Sequence, residues 1–129
     1  IELNSATLEE LESLPGIGNY LAKKIFEQRS KLGGFATKNQ LLEVYRIDQE
    51  KLNGFERNIV VDQMLISKIN INSATVAELQ SHPYISWNVA NSIVKMRPKF
   101  QKYSNFEQLL ESVLIDRDLL LKIQPYLTL

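Results

Sequence analysis

Asn4-Ser5-Ala6-Thr7-Leu8-Glu9-Glu10-Leu11 returns as Asn72-Ser73-Ala74-Thr75-Val76-Ala77-Glu78-Leu79, 68 positions later. The same offset, with no insertion, places Pro15 and Ile17 on Pro83 and Ile85, and Ala22, Ile25, Arg29 and Lys31 on Ala90, Ile93, Arg97 and Lys99. Gln40-Leu41-Leu42-Glu43 falls on Gln108-Leu109-Leu110-Glu111, and Ile47-Asp48 on Ile115-Asp116. About a third of the paired positions are identical. A shared helical period would match apolar positions but not Asn-Ser-Ala-Thr, so the chain is a duplication.

Each copy reads as four short helices. Thr7 with Glu10, and Thr75 with Glu78, form capping boxes at the start of a first helix. That helix turns Leu8, Leu11 and Leu14 inward and ends before Pro15, which disfavours helical backbone in the residue preceding it. A second helix starts near Asn19, with Leu21, Ala22, Ile25 and Phe26 on one face. Gly33-Gly34 supplies its left-handed C-cap. Thr37 with Gln40, and Asn105 with Gln108, cap a third helix, whose first copy carries Leu41, Leu42 and Val44. Asp48 and Asp116 cap a fourth. Helices this short are marginal alone and must pack on one another. The expected architecture is all-α, two tandem four-helix (SAM-like) units over residues 1–61 and 69–129. The linker 62–68 is short and apolar at Met64, Leu65 and Ile66, so the copies are expected to touch and move little against each other.

Composition narrows the function. Fifteen Lys and Arg balance fifteen Asp and Glu, giving no net charge. A strong, indiscriminate polyanion binder carries an excess of positive charge, so any nucleic-acid binding must be local and modest. The absence of cysteine excludes disulfides, thiolate metal sites and a cysteine nucleophile. No stretch is apolar for long enough to span a bilayer. The chain begins at Ile1, which leads us to expect a fragment or processed product with a signal or anchor segment removed.

The segment Leu14-Pro15-Gly16-Ile17-Gly18 carries the functional signal. Its two glycines permit a tight turn and close approach of a bulky anion. The turn's N–H groups and the positive end of the second helix then form a site suited to phosphate. Ile17 plugs into the core, and Lys23 and Lys24 lie one turn into the helix, within reach of a neighbouring phosphate.

Asn-Ser-Ala-Thr-x-x-Glu-Leu, Leu-Pro-Gly-Ile-Gly, Ala-x-x-Ile and Gly-Gly-Phe together resemble the helix-hairpin-helix domain of ComEA-type competence proteins. The resemblance covers both copies and is best over residues 1 to 48. It implies two hairpins per copy, a double helix-hairpin-helix, and sequence-independent binding of the backbone of double-stranded DNA. It assigns the backbone amides of Gly16, Gly18 and Asn19 to phosphate, with Lys23 and Lys24 as side-chain partners. Related hairpins hold a monovalent cation on main-chain carbonyls, here those of Leu14 and Ile17; no other cofactor is implied. It also suggests an outward-facing, membrane-tethered bacterial protein.

Three of the four hairpins depart from that pattern. Arg46 and Asp48 stand in the glycine positions of Val44-Tyr45-Arg46-Ile47-Asp48. The second copy reads Pro83-Tyr84-Ile85-Ser86 and Val113-Leu114-Ile115-Asp116. The central isoleucine survives in all four, which points to hairpins kept for structure. Tyr84, Trp87 and His82 surround the altered hairpin of copy two. Trp87 is expected to fold onto the core; if exposed, it and Tyr84 would suit a protein partner or stack on an unpaired base. His82, without a second ligand nearby, reads as structural.

Lys95, Arg97, Lys99 and Lys102 form a basic run, read first as a charge-complemented helix end and otherwise as an auxiliary phosphate-contacting patch. Arg29 and Arg97 share a repeat position and are expected to hydrogen-bond the loop that follows. With one histidine, no nucleotide-binding glycine loop and scattered acids, the chain reads as a binding module without catalysis, metal or small-molecule substrate, and as a monomer. The alternative is a protein-interaction or structural scaffold, as the photosystem protein PsbU, similar in fold, does not work by binding DNA.

Overall fold

The structure, a computed structural model, describes all residues from Ile1 to Leu129. Its contacts divide the chain into two units, Ile1–Ile66 and Ser67–Leu129. The first holds helices α1 (Leu8–Glu12), α2 (Asn19–Leu32) and α3 (Gln49–Phe55). The second holds α4 (Val76–Gln80), α5 (Trp87–Met96) and α6 (Arg117–Ile123). The residues read as the start of a linker, Asp62 to Ile66, lie within the first unit, and Ile66 is buried against it.

The capping residues fall where the sequence places them. Thr7 accepts the Glu10 N–H while the Glu10 carboxylate accepts the Thr7 N–H, and Thr75 accepts from Glu78. Asp48 and Asp116 accept the N–H groups of Lys51 and Leu119, each at 2.8 Å. The expected third helices are 3-10 segments, Lys38–Glu43 and Phe106–Glu111. At six residues each they exceed the three or four that runs of this tighter helix usually reach. Phe26, read on the apolar face of the second helix, and Leu42, grouped with Leu41 and Val44 on the third, are exposed.

The Asn-Ser-Ala-Thr motif turns out to be a structural lock, present twice. Asn4 Oδ1 accepts the Phe35 N–H at 2.7 Å and its Nδ2 donates to the Phe35 carbonyl at 3.0 Å. Asn72 makes the same pair with Tyr103, at the same two distances. Arg29 Nη1 donates to the carbonyls of Leu3 and Ala6, and Arg97 Nη1 to those of Ile71 and Ala74. The expected arginine bond is therefore real in both repeats, but it goes to the turn before the first helix. A guanidinium can reach two carbonyls at once, and the turn at residues 3–6 is where two carbonyls converge.

Each unit closes on itself through a short parallel pairing that helix-based reading does not contain. In the second unit β1 (Ile69–Asn70) pairs with β2 (Leu127–Thr128). In the first, Leu3 N–H donates to the Val60 carbonyl and Val60 N–H to that of Ile1. The core of the first unit gathers Leu3, Leu11, Ile25, Phe35, Leu52 and Phe55. That of the second gathers Ile71, Leu79, Ile93, Tyr103, Leu120 and Ile123.

The copies differ at the end of their second helices. Gly33 caps α2 at φ 85°, whereas α5 stops earlier and a 3-10 segment, Arg97–Phe100, leads to Gln101 at φ 65°. Gln101 is the repeat counterpart of Gly33, so the left-handed corner is kept after its glycine has gone.

Candidate functional site

All four hairpins are closed by one i→i+3 hydrogen bond. Ile17, Ile47, Ile85 and Ile115 donate to the carbonyls of Leu14, Val44, His82 and Ser112 at 3.0 to 3.1 Å. The four isoleucines are buried, so the inward plug expected at each hairpin is present. The turns nevertheless fall into two classes. Gly16 and Arg46, third in their turns, have φ 79° and 70°, the geometry a type II turn requires. Their counterparts Tyr84 and Leu114 are not in the left-handed region.

That difference decides where a backbone donor goes. The Tyr84 N–H donates to His82 Nδ1 at 3.0 Å and the Leu114 N–H to Ser112 Oγ at 3.2 Å. The second unit's turns thus satisfy a peptide N–H internally. In the first unit the Gly16 N–H has no acceptor within the protein.

The helix start after each hairpin sharpens the contrast. Asp48, Ser86 and Asp116 each cap their own helix, Ser86 accepting from Val89 at 3.2 Å. Gly18 alone brings no side chain to the start of its helix. Nothing lies within 4 Å of where a Gly18 Cβ would stand, and its backbone is extended at φ −100°. The amides of Gly18 and Asn19 have no acceptor within the protein and lie at the positive end of the 14-residue α2. Among the hairpin helices, this N-terminus is the one without a side-chain cap.

Two copies of a closed double hairpin, locked by duplicated Asn and Arg bonds, match a known pattern. A sequence profile described as the helix-hairpin-helix motif matches residues 1–60 and again 66–128. The chain belongs to the helix-hairpin-helix family. Among curated proteins it is similar to "Endonuclease/exonuclease/phosphatase family domain-containing protein 1" of Danio rerio, 28% identical over 142 aligned positions, which cover 96% of this chain and 26% of that protein. The Mus musculus and Homo sapiens proteins of that name are each 28% identical over 138 positions, covering 84% of this chain and 24% of theirs. The chain spans about a quarter of the length of these relatives. No solved structure is significantly similar.

Around the open helix-hairpin-helix turn, the side chains are mixed in sign. Lys23 is exposed on α2, while Lys24 lies 3.4 Å from Glu27 and 5.4 Å from the Tyr20 ring. Glu12, the last residue of α1, accepts from the Asn19 side chain at 2.5 Å and sets a carboxylate beside the open amides. The sequence reading passed over Lys51. Its ammonium, on α3, lies 3.3 Å from the Gly16 carbonyl in a cleft of about 410 Å³ that Pro15, Asp48, Glu50 and Gly54 also line. The period of α3 gives no hint that a residue 35 positions away meets the glycine turn. The Leu14 carbonyl, a suggested cation ligand, already accepts the Ile17 N–H.

In the second unit the aromatic residues are arranged differently from expectation. His82 is buried, with its ring 4.3 Å from that of Tyr126, and Tyr84 is half-buried with Lys122 4.2 Å from its ring centroid. Trp87, expected on the core, is 52% exposed, because Val89 and Ala90 take the inward face of α5. Of the basic run, Arg97 is committed to its two carbonyls and Lys99 to Glu111 at 2.8 Å, while Lys95 and Lys102 stand without an ion pair.

Proposed function

We propose that this chain is a non-enzymatic module that holds the backbone of double-stranded DNA weakly and without reading sequence. The observation carrying this is the uncapped start of α2 at Gly18, in contrast to the three sister hairpins, whose helix starts are filled by their own side chains. Membership of the helix-hairpin-helix family supports it. A phosphate oxygen would accept from the amides of Gly16, Gly18 and Asn19, with Lys23 and Lys24 adding charge. The first unit holds eight Lys and Arg against ten Asp and Glu, so long-range attraction adds nothing and affinity rests on those few contacts.

The relatives are named for an endonuclease/exonuclease/phosphatase family domain and are matched over about a quarter of their length. We read the present chain as the DNA-holding part of a protein of that kind, with any chemistry performed elsewhere. A place in DNA uptake, as the ComEA resemblance implies, is a narrower version of the same role. The second unit favours a different task, since Trp87, Val113 and Leu114 leave its hairpins exposed and apolar. A protein partner is the second reading, and it belongs there.

The test is fluorescence anisotropy of a labelled duplex at low salt and then at rising salt, on the wild type and Gly18→Val. Binding on the order of micromolar or weaker, with a salt slope of a few phosphates, is expected. Gly18→Val should weaken it at unchanged helix content. Equal affinity of the two proteins would remove the hairpin from the function, and no binding at low salt would move attention to the surface around Trp87.

A further inference from the structure

Beside the open glycine turn, the first unit carries an exposed cluster that its packing does not require. Tyr20 and Tyr45 are 52% and 68% exposed. The Arg46 guanidinium carbon lies 6.0 Å from the Tyr20 ring centroid and 5.4 Å from that of Tyr45. The Lys24 ammonium lies 5.4 Å from the Tyr20 ring centroid. Two large aromatic rings thus stand more than half in solvent, with one planar cation near both and a second charge near Tyr20. Exposed aromatics interleaved with cations are what stacks and neutralises a nucleotide strand.

We propose that Tyr20, Tyr45 and Arg46 form a platform for an unpaired base, so that the preferred ligand is DNA with a gap or single-stranded segment. The inference rests on the phosphate site proposed for Gly18 and names its substrate class more closely. Tyr20 directly follows Asn19, whose amide is one of the open donors. A base hangs one sugar away from its phosphate, so a strand held at the hairpin brings a base to these rings. In a duplex both faces of that base are covered by its neighbours; only an unpaired base offers a free face to a tyrosine.

The second unit supplies an internal control. The counterparts of Tyr20, Lys24, Tyr45 and Arg46 are Asn88, Ser92, Val113 and Leu114. The whole cluster is missing from the unit whose glycines are also missing. Within this chain the four residues and the open turn are found in the same unit. The locks Asn4 with Asn72 and Arg29 with Arg97 are kept in both units, and this cluster is not.

Three labelled DNAs of equal length test this by anisotropy: a blunt duplex, the same duplex with a central three-nucleotide gap, and one single strand. The wild type should bind the gapped duplex about tenfold more tightly than the blunt one, within the range typical of a stacked base. Tyr20→Ser with Tyr45→Ser should abolish that preference and leave blunt-duplex affinity unchanged. Tyr45→Phe, which keeps the ring, should retain it; Tyr45→Ser alone carries the same test should the double variant fold poorly by circular dichroism. Equal wild-type affinity for gapped and blunt DNA overturns the proposal, as does a preference that survives the serine substitutions. Gly18→Val separates the two readings: loss of affinity for both duplexes supports the phosphate site whatever the gap preference. A tyrosine-dependent preference that survives Gly18→Val keeps the platform and removes the hairpin.

Discussion

His82 Nδ1 accepts the backbone N–H of Tyr84 at 3.0 Å, and this bond is the second unit's substitute for an open glycine turn. A donor that could meet a phosphate is consumed inside the hairpin, and Ser86 consumes another at the helix start. Reversing the three changes, with His82→Leu, Tyr84→Gly and Ser86→Gly together, should create a second backbone site. The expected sign is a salt dependence steeper by about one phosphate and tighter duplex binding, read by anisotropy across a salt series. An unchanged slope would mean that hairpin chemistry does not set the affinity.

Gly16 and Gly18 flank the same isoleucine but are needed for different reasons. Gly16 sits at φ 79°, so Gly16→Ala forces a side chain into the left-handed region at a cost of about 1 to 2 kcal/mol. Gly18 is extended with open space around it, so Gly18→Ala should change stability little. Denaturant melts compared with DNA titrations should therefore separate the pair: Gly16→Ala lowers stability and binding together, Gly18→Ala chiefly binding.

Glu12 holds the Asn19 side chain and leaves a negative charge beside the amides proposed for phosphate. Glu12→Gln keeps an acceptor for Asn19 and removes the charge. Duplex affinity should rise by about two- to fivefold at low salt, the scale of one charge at a helix terminus, and the gain should fade as salt is added. A drop in affinity would show that Asn19 positioning outweighs repulsion.

Arg29 and Arg97 each bind two turn carbonyls through a single nitrogen. Arg97→Met removes both bonds from a partly buried site and should cost about 1.5 to 3 kcal/mol, seen as a lower melting temperature of the second unit. DNA affinity should not move, which distinguishes this lock from the auxiliary phosphate contact that the basic run first suggested.

Much of the fold is legible in the sequence because its determinants are local. Capping pairs such as Thr7 with Glu10 and the plugs Ile17, Ile47, Ile85 and Ile115 are set by residues a few positions apart. The duplication is visible because the lock of Asn4 with Phe35 is made again, by the same side chain, at Asn72 with Tyr103. What the sequence hides depends on long separations or on backbone sign. Lys51 meets Gly16, and Tyr20 meets Arg46, only once two hairpins pack side by side. That Arg46 adopts the left-handed turn and Tyr84 does not follows from neither residue's preference alone. Trp87 was misplaced because apolarity predicts burial only where the helix face is not already filled, here by Val89 and Ala90.

The two units should respond to acid through different carboxylates, the first through Glu2. Its carboxylate accepts the N–H groups of Asn4 at 3.0 Å, Asp62 at 2.8 Å and Ser5 at 2.7 Å. Burial works against the charged form, but these bonds together outweigh it and hold the Glu2 pKa below its usual value. The unfolded chain then binds a proton more readily than the folded one. The contribution is present above the ordinary glutamate pKa and is lost as pH falls through the lower, folded one. The second unit has Asn70 at this position, whose amide oxygen accepts the Asn72 N–H at 2.8 Å and does not titrate. Lowering the pH from 7 towards 3 should weaken amide-exchange protection in residues 1–66 through Glu2, and in residues 67–129 through Glu107, an exposed carboxylate that the hydrogen bond from Arg117 holds below its usual pKa. Glu2→Gln should reduce stability at pH 7 and flatten the acid limb of the first unit; an acid limb that persists in that variant would assign the sensitivity to another carboxylate.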